Sequence, residues 1–167
     1  MQTAVGIRIR KGTVHDVPLI HALVCELAQY ERLSHQVSAT EDALRASLFG
    51  PRPYAETLIV EADGLAAGFA LYFHNYSTFL ARPGIYLEDL FVRPAFRQRG
   101  AGRALLVELA RIALERGCGR LEWSVLDWNE PAIRFYQSLG AQSMDEWRIN
   151  RVTGPALAAL AAGTPLG

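Results

Sequence analysis

The stretch Leu87-Glu88-Asp89-Leu90-Phe91-Val92-Arg93-Pro94-Ala95-Phe96-Arg97-Gln98-Arg99-Gly100-Ala101-Gly102-Arg103 constrains this chain most. An apolar strand, Ile85 to Val92, runs into a loop of arginines and glycines. The loop opens a helix from Ala104 to Arg116, in which Leu105, Leu106, Leu109, Ile112 and Ala113 recur at helical spacing and Gly117 offers a left-handed cap. The free N–H groups and the positive dipole end of such a helix make an anion site, and glycine lets a phosphate approach the backbone. Arg93, Arg97, Arg99 and Arg103 fall within eleven residues and add charge-assisted donors for a polyphosphate. A solvated basic loop is the plainer alternative, because Gly-x-Gly at a helix start is common. Two other phosphate motifs are absent. A P-loop needs Gly-Lys-Ser/Thr, yet Lys11 is the only lysine. A dinucleotide fingerprint needs a third glycine where Leu105 stands and a tight turn where seven residues separate Val92 from Gly100, so Glu122 mimics the ribose-binding acid by chance.

The flanking segments complete an α/β, or α+β, pattern. Val5 to Lys11 alternates as a first strand. Asp16 is placed to cap a helix with Pro18 in its first turn and Ile20, Leu23, Val24 and Leu27 on its inner face. A second helix follows Thr40, turns Leu44 and Leu48 inward and ends at Gly50 and Pro51. Thr57 to Ala62 and Leu65 to His74 flank Asp63-Gly64, a dipeptide suited to the positive φ angles of a two-residue hairpin, and Ile85 to Val92 is the third strand of this meander. Beyond the central helix, Leu121 to Leu126 returns as a strand, Glu130 to Leu139 forms a helix closed by Gly140, and Trp147 to Val152 makes a last strand. Strand, helix, strand, helix is the parallel half of the sheet. Residues after Thr153 predict a short appended helix or a loosely held tail. No internal repeat or linker divides the chain, so a single domain, residues 1–167, is expected.

Composition narrows the function. At 167 residues, half of them hydrophobic, folding buries about 70% of the chain's surface, enough for one self-sufficient core. Seventeen basic and seventeen acidic residues cancel, which removes the positive field that nucleic-acid binding uses. The longest apolar run, Leu65 to Phe73, is nine residues, against the ~20 that cross a bilayer. The start lacks a leader pattern, so a cytoplasmic location is expected, with no membrane partner. Cys25 and Cys118 read as separate core thiols, and the four histidines lack metal-ligand spacing, so no metal is implied.

Arg97-x-x-Gly100-x-Gly102 after a strand ending Phe91-Val92, then Asn129-Glu130-Pro131-Ala132 and Phe135-Tyr136 with Gly140, resembles the GNAT superfamily of acetyl-CoA-dependent N-acetyltransferases. Glu26-Leu27-Ala28, Tyr30-Glu31, Tyr86-Leu87-Glu88-Asp89 and Trp128-Asn129-Glu130-Pro131 are similar to the diamine (spermidine/spermine) acetyltransferases, in the same order, over about Ile7 to Ile149. The resemblance implies the GNAT fold: a mixed central sheet with an antiparallel N-terminal meander, splayed parallel strands and helices on both faces. It also implies acetyl-CoA as cosubstrate, a small-molecule amine as acceptor and a homodimer. The edge of the late strand near Trp147 would be one surface to cover.

Transfer of acetyl from a thioester to an amine needs a phosphate cradle, a polarised carbonyl, a base for the amine and an acid for the thiolate. The resemblance implies that the backbone of Leu90, Phe91 and Val92 lies along the pantetheine arm and that Arg97, Gln98, Arg99, Gly100, Ala101, Gly102 and Arg103 hold the pyrophosphate. Asn129, Pro131 and Ala132 would join them. Asn129 and Tyr136 are seven apart, nearly two helical turns, so they share a face with Ala132 between them. By pattern alone Tyr136 reads as an aromatic core residue; the resemblance makes it the general acid. A protonated amine calls for carboxylates, and Glu31, Glu88, Asp89, Asp127 and Glu146, with Tyr30, are the candidates. Glu88 is the choice for the base, taking the proton directly or through water. Arg32-Leu33-Ser34-His35 stands where the diamine enzymes carry extra acids, and Arg32 could meet a carboxylate on an amino-acid-like amine of the thialysine type. A protein amine as acceptor, or a non-catalytic acyl-CoA-binding module, are the other readings.

Overall fold

The computed structural model describes residues 6–163, so Val5 lies outside the described residues. The chain falls into two compact units that meet in sequence between Ser124 and Val125. The first contains β1 (Ile7–Lys11), α1 (Val17–Tyr30), α2 (Glu41–Phe49), β2 (Glu56–Ala62), β3 (Leu65–Ser77), β4 (Arg82–Val92), α3 (Ala101–Glu115) and β5 (Leu121–Trp123). The second contains α4 (Glu130–Ser138) and α5 (Gly154–Ala161).

In the first unit the strands lie in sequence order, with β1 to β4 antiparallel and β5 parallel to β4. Asp63 and Gly64 take φ of 53° and 78°, the paired left-handed conformation that lets a two-residue turn match the strand twist. On one face Ile20, Leu23 and Leu27 of α1 and Leu48 of α2 bury against Ile59, Phe69 and Phe91. The alternate strand residues Leu58, Val60 and Ala70 point the other way and are equally buried, as are Leu105, Leu109 and Ile112 of α3, which lies along β1 to β4. The expected mixed sheet with helices on both faces is present. Gly68 permits the close pass of β3 over β4: a Cβ there would stand 2.1 Å from the carbonyl oxygen of Phe91.

Several local expectations need correction. Asp16 stands at the start of α1, but its carboxylate does not cap that helix. It accepts the backbone N–H and hydroxyl of Thr13 and a two-pronged bond from Arg10, which holds it down to about 2. The central helix starts at Ala101, three residues early, because Gly100 in the left-handed conformation (φ 86°) caps it. β5 stops at Trp123 instead of Leu126. No strand forms over 147–152, since alternation sets which side chains share a face and cannot supply a neighbouring ladder. Cys25 is exposed, on the outer side of α1, while Cys118 is half-buried. Thr40 does cap α2, accepting the N–H of Ala43 at 3.2 Å, and the appended helix is α5.

Candidate functional site

The site begins where β4 loses a neighbour. The parallel ladder pairs Ile85, Tyr86 and Leu87 with Leu121, Glu122 and Trp123 and then stops, although β4 continues to Val92. From Glu88 onward the β5 side of β4 is an open edge whose peptide groups can meet another amide. Just beyond, Gln98 and Gly100 both adopt positive φ, at 61° and 86°. The first bond of α3 runs from the N–H of Ala104 to the carbonyl of Gly100, which leaves the N–H groups of Ala101, Gly102 and Arg103 without an acceptor inside the helix. Three converging donors at the positive end of a 15-residue helix fit a pyrophosphate. The first peptide groups of α3 are thus donors suited to an anion.

The arginines have divided tasks. Arg93 grips Glu26 of α1 through two nitrogens at 2.8 and 2.9 Å and donates to the carbonyl of Ala66. Arg99 pairs with Asp63 across the hairpin turn. Arg97 turns inward: its Nε donates to the carbonyl of Val92 at 2.9 Å, and its guanidinium lies 4.6 Å from the ring centre of Tyr30 and 5.8 Å from that of Phe91. Arg103 is exposed on the first turn of α3.

On the other side of β4 lies a cleft of about 380 Å³. Its apolar wall is Val24, Leu27 and Ala28 of α1, and its rim is the segment from Leu33 to Ala39. His21 donates from α1 to the carbonyl of Ala39 at 3.0 Å and ties that rim to the helix. Three carboxylates enter the cleft: Glu31, Glu88 and Asp89. Consecutive strand residues normally face opposite ways, but the register slips here. Asp89 opposes Leu71, Leu87 opposes Tyr72, and Glu88 is the unpaired residue of a β-bulge. The bulge turns both side chains to one cleft. Burial pushes the Asp89 carboxyl up to about 7, and the charges of Glu88 and Glu31 add to it. Glu31 is raised as well, by burial alone. No arginine or lysine lines the cleft, so an ammonium group would relieve both the desolvation and the repulsion.

In the second unit the side chain of Asn129 accepts the N–H of Ala132 and caps α4, with Pro131 in the first turn where its missing N–H costs nothing. Asn129 is buried, Ala132 and Tyr136 are half-buried on the same face, and the Tyr136 ring lies 5.5 Å from that of Phe135. Asp127 and Glu146 are exposed residues of this unit. Leu90, Phe91 and Val92 lie on the open part of β4, and Tyr30 sits on Arg97 beside Glu31. The residues Gln36, Val37, Ser38 and Ala39 escaped sequence reasoning, because a rim built from loop backbone leaves no periodic signal.

The unpaired stretch of β4 and the start of α3 that follows it offer backbone groups to an extended, phosphate-bearing ligand. Residues 21–141 match the model of the acetyltransferase (GNAT) family. The chain is similar to a thialysine N-epsilon-acetyltransferase of Mus musculus (40% identical, covering 92% of this chain and 96% of that protein). It is also similar to an L-ornithine N5-acetyltransferase of Arabidopsis thaliana, 38% identical over 92% of this chain and 87% of the relative. Among solved structures, an integron cassette protein from the mobile metagenome of V. cholerae superposes with a TM-score of 0.78 at 27% identity, covering 94% of this chain and 98% of that one. An aminoglycoside N-acetyltransferase in complex with CoA shares the fold, with a TM-score of 0.69 at 23% identity over 89% of this chain and 95% of that one. The chain belongs to the GNAT acetyltransferase family and is an acetyl-CoA-dependent N-acetyltransferase.

The Asp89 carboxyl gives a stability signature. Its folded value lies above the ordinary 3.8, so between about pH 4 and pH 7 the folded protein keeps a proton that the unfolded chain releases. The stabilisation is full below about pH 4 and is lost as pH rises through 7. Asp89→Asn should therefore melt higher than wild type at pH 8, with the gap closing toward pH 4. Melting curves with the same gap at both pH values would contradict this.

Proposed function

We propose that the protein transfers acetyl to a primary amine of a small molecule, of the diamine or polyamine class. The observation that carries this is the convergence of Glu31, Glu88 and Asp89 on one cleft with no basic lining residue, against the open edge of β4. Acetyl-CoA supplies the activated acyl group. The free N–H groups of Ala101, Gly102 and Arg103 bind its pyrophosphate, with Arg97, Gln98, Arg99 and Gly100 shaping the loop around it. Peptide groups of Leu90, Phe91 and Val92 align the pantetheine arm and polarise the carbonyl, and the resemblance to the GNAT enzymes supports a cofactor-binding role for Asn129, Pro131 and Ala132. Asp89 and Glu31 hold the ammonium group in the cleft. Glu88, exposed at its mouth, takes the proton directly or through water, and Tyr136 donates a proton to the departing thiolate.

A second reading has support of its own. The relatives are named for thialysine and ornithine, which carry a carboxylate beside the amine chain. Arg32, exposed and held at φ 61° next to Glu31, is placed to meet such a carboxylate while the distal amine enters the cleft. Both readings place the reacting amine among the same three acids.

We also propose that the enzyme works in the cytoplasm as a homodimer, which the resemblance to the diamine acetyltransferases supports. β5 leaves a sheet edge of three residues where the expected last strand does not form. A monomeric mass by light scattering at micromolar concentration would contradict the dimer.

Thiol release from acetyl-CoA, assayed over a panel of diamines, polyamines, ornithine, thialysine and a peptide N-terminus, tests the reading. Diamines or ω-amino acids should be turned over and the peptide left untouched; activity on the peptide alone would overturn it. In the same assay Tyr136→Phe should lower kcat by about 10²- to 10⁴-fold with near-normal affinity for acetyl-CoA, and a full-rate variant would remove Tyr136 from the mechanism.

A further inference from the structure

Arg97 belongs to the loop that the sequence assigns to phosphate, yet its side chain is spent elsewhere. The Nε–H holds the carbonyl of Val92, the last residue of β4, at 2.9 Å. The cationic plane lies within 6 Å of two ring centres, Tyr30 at 4.6 Å and Phe91 at 5.8 Å, both inside the range where a cation is attracted to an aromatic face. Tyr30 ends α1, the helix that forms the apolar wall of the amine cleft, and its chain neighbour Glu31 is one of the three acids there. Phe91 belongs to the core cluster with Leu27, which also lines the cleft. One planar group therefore touches the end of the strand that meets acetyl-CoA and the end of the helix that carries the amine's carboxylate.

We propose that Arg97 is a positioning residue that sets the amine site against the thioester site, and that it does so through Tyr30. This rests on the functional reading above. An acid on α1 is useful only if it stands at a fixed distance from β4, and displacements of about 1 Å can cost up to 10²-fold. The strand end and helix end have no ladder between them, so side chains hold the spacing: Arg93 through Glu26 in the middle of α1, and Arg97 through Tyr30 at the end beside Glu31. Arginine suits this because its guanidinium stacks on rings while Nε–H donates in the plane; a lysine ammonium cannot do both. A phosphate ligand, by contrast, would leave Tyr30 irrelevant to catalysis.

The test compares wild type with Arg97→Met, Arg97→Lys, Tyr30→Leu, Tyr30→Phe and the Arg97→Met/Tyr30→Leu double variant. The readouts are steady-state kinetics with acetyl-CoA and 1,4-diaminobutane, CoA affinity by calorimetry, and hydrogen exchange over 24–33 and 88–94. Arg97→Met and Tyr30→Leu should each raise the KM for the diamine about tenfold with kcat within about threefold. Tyr30→Phe keeps the ring that the guanidinium lies against and should raise the diamine KM less than Tyr30→Leu does, whereas Arg97→Lys should behave like Arg97→Met. The double variant should be no worse than the worse single one, since both remove the same contact. Exchange should rise in both segments in Arg97→Met. An Arg97→Met variant that loses CoA affinity with an unchanged diamine KM, or two effects that simply add, would overturn the proposal. If wild type turns over no amine, the functional reading fails, and the clasp is then judged by exchange: no rise over 24–33 would reject it and a rise in both segments would uphold it.

Discussion

On the proposed function, both ligands meet the protein where β4 parts from β5 after Leu87. Three residue pairs join the two strands, and then β4 runs on alone for five residues. In a continuous sheet those peptide groups would be spent on a neighbour. Here no strand among the described residues pairs with them on that side, where the Val92 carbonyl accepts from Arg97, while β3 still pairs with β4 on the other and keeps the strand in place. The bulge at Glu88 falls on the first residue past the split. The bulge, a slip in the pairing with β3, directs two successive carboxylates to one cleft just where the ladder to β5 has ended.

Charge is distributed with corresponding economy. Four arginines follow β4, three in the loop and Arg103 in the first turn of α3; the first three are engaged with Glu26, Asp63 or the Tyr30 and Phe91 rings, and on the proposed function the peptide N–H groups of α3 take the anion. Backbone donors suit this task because their positions are set by the helix and need no side-chain ordering when a ligand arrives. The cleft shows the reverse arrangement. Three acids are gathered with no arginine or lysine in the lining; burial, and after it the charges of Glu88 and Glu31, raise Asp89 toward neutrality, and a cation in the cleft would oppose that shift.

Much of this was legible in the sequence, and the reasons are specific. Asp63-Gly64 announced its turn because few residue pairs tolerate two positive φ angles, and Leu105, Leu109 and Ile112 announced α3 because a helix facing a sheet must repeat at its own period. Gly100 marked the start of α3 because a residue at φ 86° there favours glycine. The bulge was invisible, since Tyr86-Leu87-Glu88-Asp89 reads as uninterrupted strand and the slip arises from pairing with β3. Equally invisible were the rim from Leu33 to Ala39 and the inward turn of Arg97, both set by tertiary neighbours. The alternation of Trp147, Ile149 and Arg148 suggested a strand, yet strands exist only in ladders, and that segment has none among the described residues.

On the proposed function a protonated amine is received by the ionised carboxylates beside the bulge. The most direct measurement is the pH dependence of kcat/KM for the amine, in wild type and in Asp89→Asn. Wild type should show an acidic limb with an apparent pKa near 7, set by Asp89 against Glu88 and Glu31, and the limb should vanish or move well away in Asp89→Asn along with a fall in kcat/KM. A limb unchanged in position in the variant, with kcat/KM intact, would contradict the account.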